Sequence, residues 1–276
     1  MSMWIALAIV LGVTLLCSAV GFKKFVYFLS IGYGFAIAGG GIAIFVMALA
    51  CGWNNELVWL SAIQMALFVL YGARLSGFLL AREIKSASYK KTMKEAVGEK
   101  KIPIFVSITV WIVVALLYTM QVSPMLFRHM FGYEDIILPL VGAGISALGL
   151  ILETVADFQK SAQKKANPNM VATKGLYRMC RCPNYLGEIL FWVGVFVGGI
   201  SSYDDAFKWI IAVLALVCII YIMFNGAQRL EKRQMKRYGD DPEYNEYANK
   251  TPIIIPLIPL YHLSKKEGGD KDVDPS

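Results

Sequence analysis

Histidine is nearly absent from this chain, cysteine is sparse and charge is scarce. There are two histidines and five cysteines in 276 residues, and only 17% of positions are charged. Cys17, Cys51, Cys180, Cys182 and Cys218 are too few and too scattered for a disulfide framework. Cys180 and Cys182 stand close together, but a zinc ion needs more ligands than His129 and His262 add, so no metal site is expected. Scarce charge also excludes intrinsic disorder. What abounds is apolar: hydrophobic residues make up 57%, against roughly 45–50% apolar in soluble domains. The composition predicts an all-α integral membrane protein.

A helix needs about 20 apolar residues to cross the hydrocarbon core. Seven segments qualify, near 3–21, 26–51, 57–81, 102–127, 136–156, 185–203 and 207–227. No positive charge precedes the first, and Lys23 and Lys24 follow it. It therefore reads as an anchor with the N-terminus outside rather than a signal peptide. Alternate loops then carry Lys23 and Lys24, seven cations in 82–101, six in 157–184 and nine after 227. That places 24 of the 27 Lys and Arg on one side. The net charge of +7 is thus loop charge of a membrane protein and not a nucleic-acid footprint. The C-terminus is expected in the cytosol. Residues 1–263 form one expected seven-helix membrane domain, followed by a disordered polar tail, 264–276. The apolar stretch before that tail contains Pro252, Pro256 and Pro259, so it cannot span as a regular helix.

Gly142, Gly144 and Ala147 spell G-x-G-x-x-A, but no strand precedes them, as a dinucleotide turn requires. Small residues at helical spacing point to close helix packing in the membrane. The same holds for Gly39, Gly40 and Gly41 in the second span.

Ionisable groups at membrane depth mark function by default. The third span carries Glu56, Gln64, Tyr71 and Arg74. Gln64 and Tyr71 share a face, with Arg74 one turn on. Tyr71 beside Arg74 could donate a strong hydrogen bond to a substrate carbonyl, or the two could form a structural pair. Glu56 lies roughly 22 Å from Tyr71 along the axis and cannot meet it on this helix. In the fifth span, Glu153, Asp157, Lys160 and Lys164 form a polar stripe at helical spacing. GLYRMCRCPNYLGE at 175–188 then gathers Arg178, Arg181, Asn184, Tyr185 and Glu188 around a helix start. Arginine forks suit phosphate. After the last span, Glu231 sits among Arg229, Lys232 and Arg233. That basic stretch could equally lie on anionic lipid.

These blocks resemble the steroid 5α-reductase family, especially its bacterial relatives. The resemblance rests on LETVADFQK at 152–160, GLYRMCRCPNYLGE at 175–188, LEKR at 230–233 and DPEYNEYANKTPIIIP at 241–256. YGARLSGFLLAR at 71–82 extends it more weakly. The stretch 136–260 carries these cofactor-site motifs. The resemblance implies seven membrane helices and NADPH as hydride donor to the conjugated carbon–carbon bond of an enone, with a 3-oxo-Δ4-steroid as one substrate. It further implies that Glu153, Asp157 and Lys164 line the cofactor cavity, that Asn184 and Glu188 approach the nicotinamide, and that Arg178 and Arg181 hold phosphates. Lys160, Tyr185, Asn225 and Glu231 complete the expected cofactor set. Tyr71 matches the tyrosine that bonds the substrate ketone, with Glu56 and Arg74 as catalytic companions.

The chain departs from the family pattern twice. Cys182 replaces the usual histidine before the proline, and 26–51 lacks the acidic residue that clamps the ketone. A membrane methyltransferase of the isoprenylcysteine carboxyl type, using S-adenosylmethionine, is the enzymatic alternative, and a non-catalytic lipid-binding protein is the other. The expected partners are a lipophilic small molecule entering from the bilayer and the membrane lipids, with no nucleic acid and no obligatory protein partner. A bacterial inner membrane is expected in preference to endoplasmic reticulum.

Overall fold

The computed structural model describes residues 1–53, 57–85, 102–131 and 134–263, with side chains of the third helix described to residue 81. Glu56 and the tail 264–276 lie outside the described residues. Among the described residues every regular element is helical: α1 (Met3–Ser18), α2 (Ile31–Cys51), α3 (Val58–Lys85), α4 (Ile104–Met130), α5 (Ile137–Ala166), α6 (Pro183–Gly199), α7 (Ala206–Tyr238) and α8 (Pro242–Lys250). The first seven are long and apolar enough to cross a membrane, some with a short 3-10 extension. This is an integral, multi-pass, all-α membrane protein. Two helices outrun their apolar segments: α5 continues to Ala166 and α7 to Tyr238.

The residues cluster into two compact units. The first comprises Met1–Leu148 and Leu190–Cys218, the second Gly149–Ile189 and Ile219–Ser276. Helices α5, α6 and α7 contribute to each.

In the first unit, small and hydroxyl residues set the helix contacts, as expected where lipid supplies no driving force between helices. The three glycines of α2 serve three neighbours. A Cβ on Gly39 would lie 2.8 Å from Cys17 Sγ on α1, on Gly40 3.2 Å from Val122 on α4, and on Gly41 2.8 Å from Phe68 on α3. Helix α2 is unbroken through them. The G-x-G-x-x-A segment is likewise a packing surface: a Cβ on Gly142 would lie 2.5 Å from Gly198 N, whereas Gly144 faces open space. Thr14 Oγ1 bridges α1 to α4, donating to Ala115 O at 3.2 Å beside Thr119 Oγ1 at 3.0 Å. Pro124 sits inside α4 and cannot donate to the carbonyl one turn earlier. Ser123 Oγ donates to that carbonyl, Met120 O, at 2.8 Å.

In the second unit, the end of α5 holds the loop that leads to α6. Gln163 Oε1 accepts from Thr173 N and Lys174 N, both at 2.9 Å, and Gln159 Oε1 accepts from Leu176 N at 2.8 Å. Gly175 takes φ +68 at the turn, where a side chain would be strained. The proline-broken stretch after α8 packs against the start of α6: Arg181 N donates to Pro252 O at 2.8 Å and Cys182 N to Ile253 O at 2.9 Å. Ile253 and Ile254 are buried with Cys182 and Ala227.

Candidate functional site

Most of the candidate polar residues fall in the second unit, on α5, α6, α7 and the loop between α5 and α6. Gly187 determines how α5 and α6 meet. A Cβ there would lie 2.6 Å from Glu153 N and 2.7 Å from Gly149 O, so only glycine permits this approach. It brings Glu153 (6% exposed) against the turn of α6 that carries Glu188 (4% exposed). Asn184 lies one turn before Glu188 on α6, and its Oδ1 is buried with no hydrogen-bond partner among the described residues. Burial raises the Tyr177 phenol and the charge of Asp157 adds to it, so that carboxylate lies close by; at Cys182 burial is opposed by the positive charge of Lys160.

A buried hub lies at Glu231. This carboxylate is 1% exposed and accepts from Arg181 Nη2 at 2.8 Å and from Leu263 N at 2.9 Å. His262 Nδ1 faces it at 2.9 Å, and His262 Nε2 faces Asn249 Oδ1 at 2.9 Å. Arg181 Nη2 also donates to Tyr261 O. The structure thus brings Arg181 and Glu231 together as an ion pair that fastens the segment following α8. A buried pair of this kind needs extra hydrogen bonds to offset its desolvation, and Tyr261, His262 and Leu263 supply them. Their part is hidden in the sequence, because they lie thirty residues beyond Glu231 in an apolar stretch.

Other candidates stand apart from that hub. Lys164 Nζ donates to Tyr238 OH at 2.8 Å and to Pro168 O at 3.3 Å. Arg178 is exposed, Tyr185 packs in the cluster around Cys182, and Asn225 Nδ2 donates to Tyr221 O on its own helix at 2.9 Å. Burial pushes the Cys182 thiol up to about 12 and Cys180 up to about 11. Where the resembled pattern has histidine, this chain therefore has a protonated, weakly donating thiol. Burial also raises Tyr244 and Tyr247, and Tyr247 OH donates to Tyr177 O at 2.7 Å. Both tyrosines come from the DPEYNEY motif.

The first unit holds Tyr71. Its side chain is fully buried in an aromatic cluster, stacked on Phe191 with centroids 4.5 Å apart and edge-on to Trp192 at 5.6 Å and Tyr33 at 5.7 Å. Arg74 is half-buried one turn further along α3. Tyr33 belongs to α2, the helix that lacks an acidic residue, and its hydroxyl accepts from Gln121 Nε2 at 3.3 Å. Helix two thus offers a phenol beside Tyr71. Among the described residues no three His, Cys, Asp or Glu side chains gather closely enough to hold a metal ion.

A family described as "Protein of unknown function (DUF1295)" matches residues 34–251, more than half of the chain. The cobalt-zinc-cadmium resistance protein CzcN of Cupriavidus metallidurans is 30% identical over 155 residues, 56% of this chain and 65% of that protein. The uncharacterized protein C594.04c of Schizosaccharomyces pombe is 33% identical over 90 residues, 32% of this chain and 24% of that protein. The chain thus spans less than two thirds of the length of either relative. No solved structure matches it.

Proposed function

Because the chain belongs to the DUF1295 family, a steroid 5α-reductase-like membrane family, we propose that it is an NADPH-dependent reductase of a conjugated carbon–carbon double bond in a lipophilic substrate, possible substrates including 3-oxo-Δ4-steroids. The observation that carries this reading is the meeting of α5 and α6 at Gly187, which buries Glu153 and Glu188 within membrane-length helices beside Asn184. Two carboxylates are costly at that depth unless polar partners reward them. The orphaned Asn184 Oδ1 suits an amide N–H donor such as a carboxamide.

The residues present fit the cofactor. Arg178 is exposed for a phosphate, and Arg229 and Arg233 are exposed cations whose charge reaches Tyr185. Arg181 is held by Glu231 and supports the site by positioning the start of α6. Bound there, NADPH would supply a hydride to the β-carbon and become NADP+, with the proton for the α-carbon coming from water or a side chain. Tyr71 donates a hydrogen bond to the enone oxygen and stabilises the enolate that develops there. Phe191, Trp192 and Tyr33 fix its ring and keep that surrounding dry. The substrate enters from the bilayer. The distribution of loop cations supports a cytosolic C-terminus, and the resemblance to bacterial relatives supports a bacterial inner membrane.

Hydride transfer tests the reading. Detergent-purified protein is given NADPH tritiated at the transferable position, together with membrane lipid extract or a 3-oxo-Δ4-steroid. Tritium in the extracted lipid is the expected result. Label arriving only from methyl-tritiated S-adenosylmethionine would make the protein a methyltransferase. Absence of NADPH binding would leave a lipid-binding protein.

A further inference from the structure

Arg128 lies in the last turn of α4 and is 7% exposed. Its guanidinium makes two hydrogen bonds, both to neutral acceptors: Nη1 to Ser201 Oγ at 3.1 Å and Nη2 to the backbone carbonyl of Asp135. These use two of the five N–H donors an arginine carries. The nearby Asp135 carboxylate contributes its charge to Arg128 but no hydrogen bond. Its Oδ1 accepts from Ile137 N at 2.9 Å and Leu138 N at 3.4 Å and so caps the start of α5. A buried cation whose hydrogen bonds go only to neutral groups is expensive. It is in this condition that an anion is worth most.

The same side chain lines a small, partly open recess within the first unit, together with Ser61, Gln64, Met125, Val195 and Gly198. The polar lining is donor-rich. Gln64 Nε2 is buried and has no hydrogen-bond partner among the described residues. Ser61 carries a hydroxyl whose oxygen lies 3.3 Å from His129 Nδ1, and His129 is itself buried. When that nitrogen carries the proton, the Ser61 hydrogen is available to a ligand. A guanidinium, an amide N–H and a hydroxyl thus converge on one small space walled by apolar side chains. Such a donor set recognises negatively charged oxygen.

We propose that this recess is a binding site for an oxyanion, a carboxylate or phosphate group held by Arg128 with Gln64 and Ser61. The group arrives either as a free small anion or as the head of a membrane amphiphile such as a fatty acid. This site is separate from the reductase reading and does not need NADPH.

Calorimetric titration of the detergent-solubilised full chain tests it, with oleate, octanoate, inorganic phosphate and uncharged oleyl alcohol as probes. One saturable site for an anionic probe is expected, weakened at least tenfold in Arg128→Gln and several-fold in Gln64→Leu. Tight binding of oleate and octanoate but not phosphate assigns the site to a lipid headgroup; binding of phosphate assigns it to a free anion. Gln64→Leu and Ser61→Ala keep the guanidinium in place, so they decide the matter should Arg128→Gln fail to fold. Oleyl alcohol binding as tightly as oleate, or affinities unchanged in all variants that fold, would overturn the proposal.

Discussion

Tyr71 shows how much a single position depends on neighbours that its own helix does not reveal. Spacing along α3 marks it as an intramembrane hydroxyl in line with Gln64, yet its surroundings come from Phe191 and Trp192 on α6 and Tyr33 on α2. Those rings read in the sequence as ordinary apolar filling. Replacing Tyr71 by Phe keeps the stacked ring and removes only the hydroxyl. The expected outcome is loss of lipid reduction by at least a hundredfold, the scale of one oxyanion donor, with NADPH affinity within about twofold by fluorescence titration. Parallel loss of both would remove Tyr71 from the chemistry. The ion pair of Arg181 with Glu231 was equally hidden, since the sequence offers each as a candidate cofactor contact and nothing in their spacing pairs them across fifty residues.

Cys182 gives a second residue-scale test. Its thiol is raised to about 12 in the fold from an unperturbed 9.0. A raised value means the folded protein holds that proton while the unfolded chain releases it. The thiol's contribution is therefore complete below about pH 9 and is lost as pH rises toward 12. Between those limits it removes up to about 1.4 kcal/mol of stability per pH unit. Denaturant unfolding followed from pH 8.5 to 10.5 should show a shallower decline in Cys182→Ser than in the parent protein, because serine does not ionise there. Identical slopes would refute the burial of that thiol.

Among the elements, α5 and α6 are the most instructive pair. Hydropathy located both, because a long apolar run is legible without any partner. Their extents were less legible: the bilayer limits the apolar stretch, whereas α5 keeps its helical hydrogen bonds out to Ala166 through Asp157, Lys160 and Lys164. Closeness of approach was legible only as a pattern of small residues. Gly142 and Gly187 meet α6 and α5 backbone respectively, but Gly144 meets nothing. Gly187→Val should consequently push α6 off Glu153 and lower NADPH affinity at least tenfold, whereas Gly144→Ala should leave it unchanged. Equal behaviour of the two variants in a binding titration would show that the contact at Gly187 does not shape the site.

For the molecule as a whole, the seven spans were legible because loop charge and apolar length speak to the same helix count. What the chain does with its polar side chains was less so, because Glu231, Arg181 and His262 converge only once the segment after α8 folds back. Seven spans also make a test of orientation available. Cys51 is exposed at the end of α2, two crossings from the N-terminus, so an odd total sets it on the face opposite the C-terminus. In the orientation expected from the loop cations, the C-terminal face is cytosolic. A membrane-impermeant maleimide applied to intact spheroplasts should label Cys51, while a cysteine introduced by Ser276→Cys should react only after permeabilisation. Both sites labelled from one side would refute the odd number of crossings. Labelling with the faces exchanged would keep the seven helices but invert the protein, moving Arg178, Arg229 and Arg233 away from cytosolic NADPH and removing the physical basis for the reductase reading.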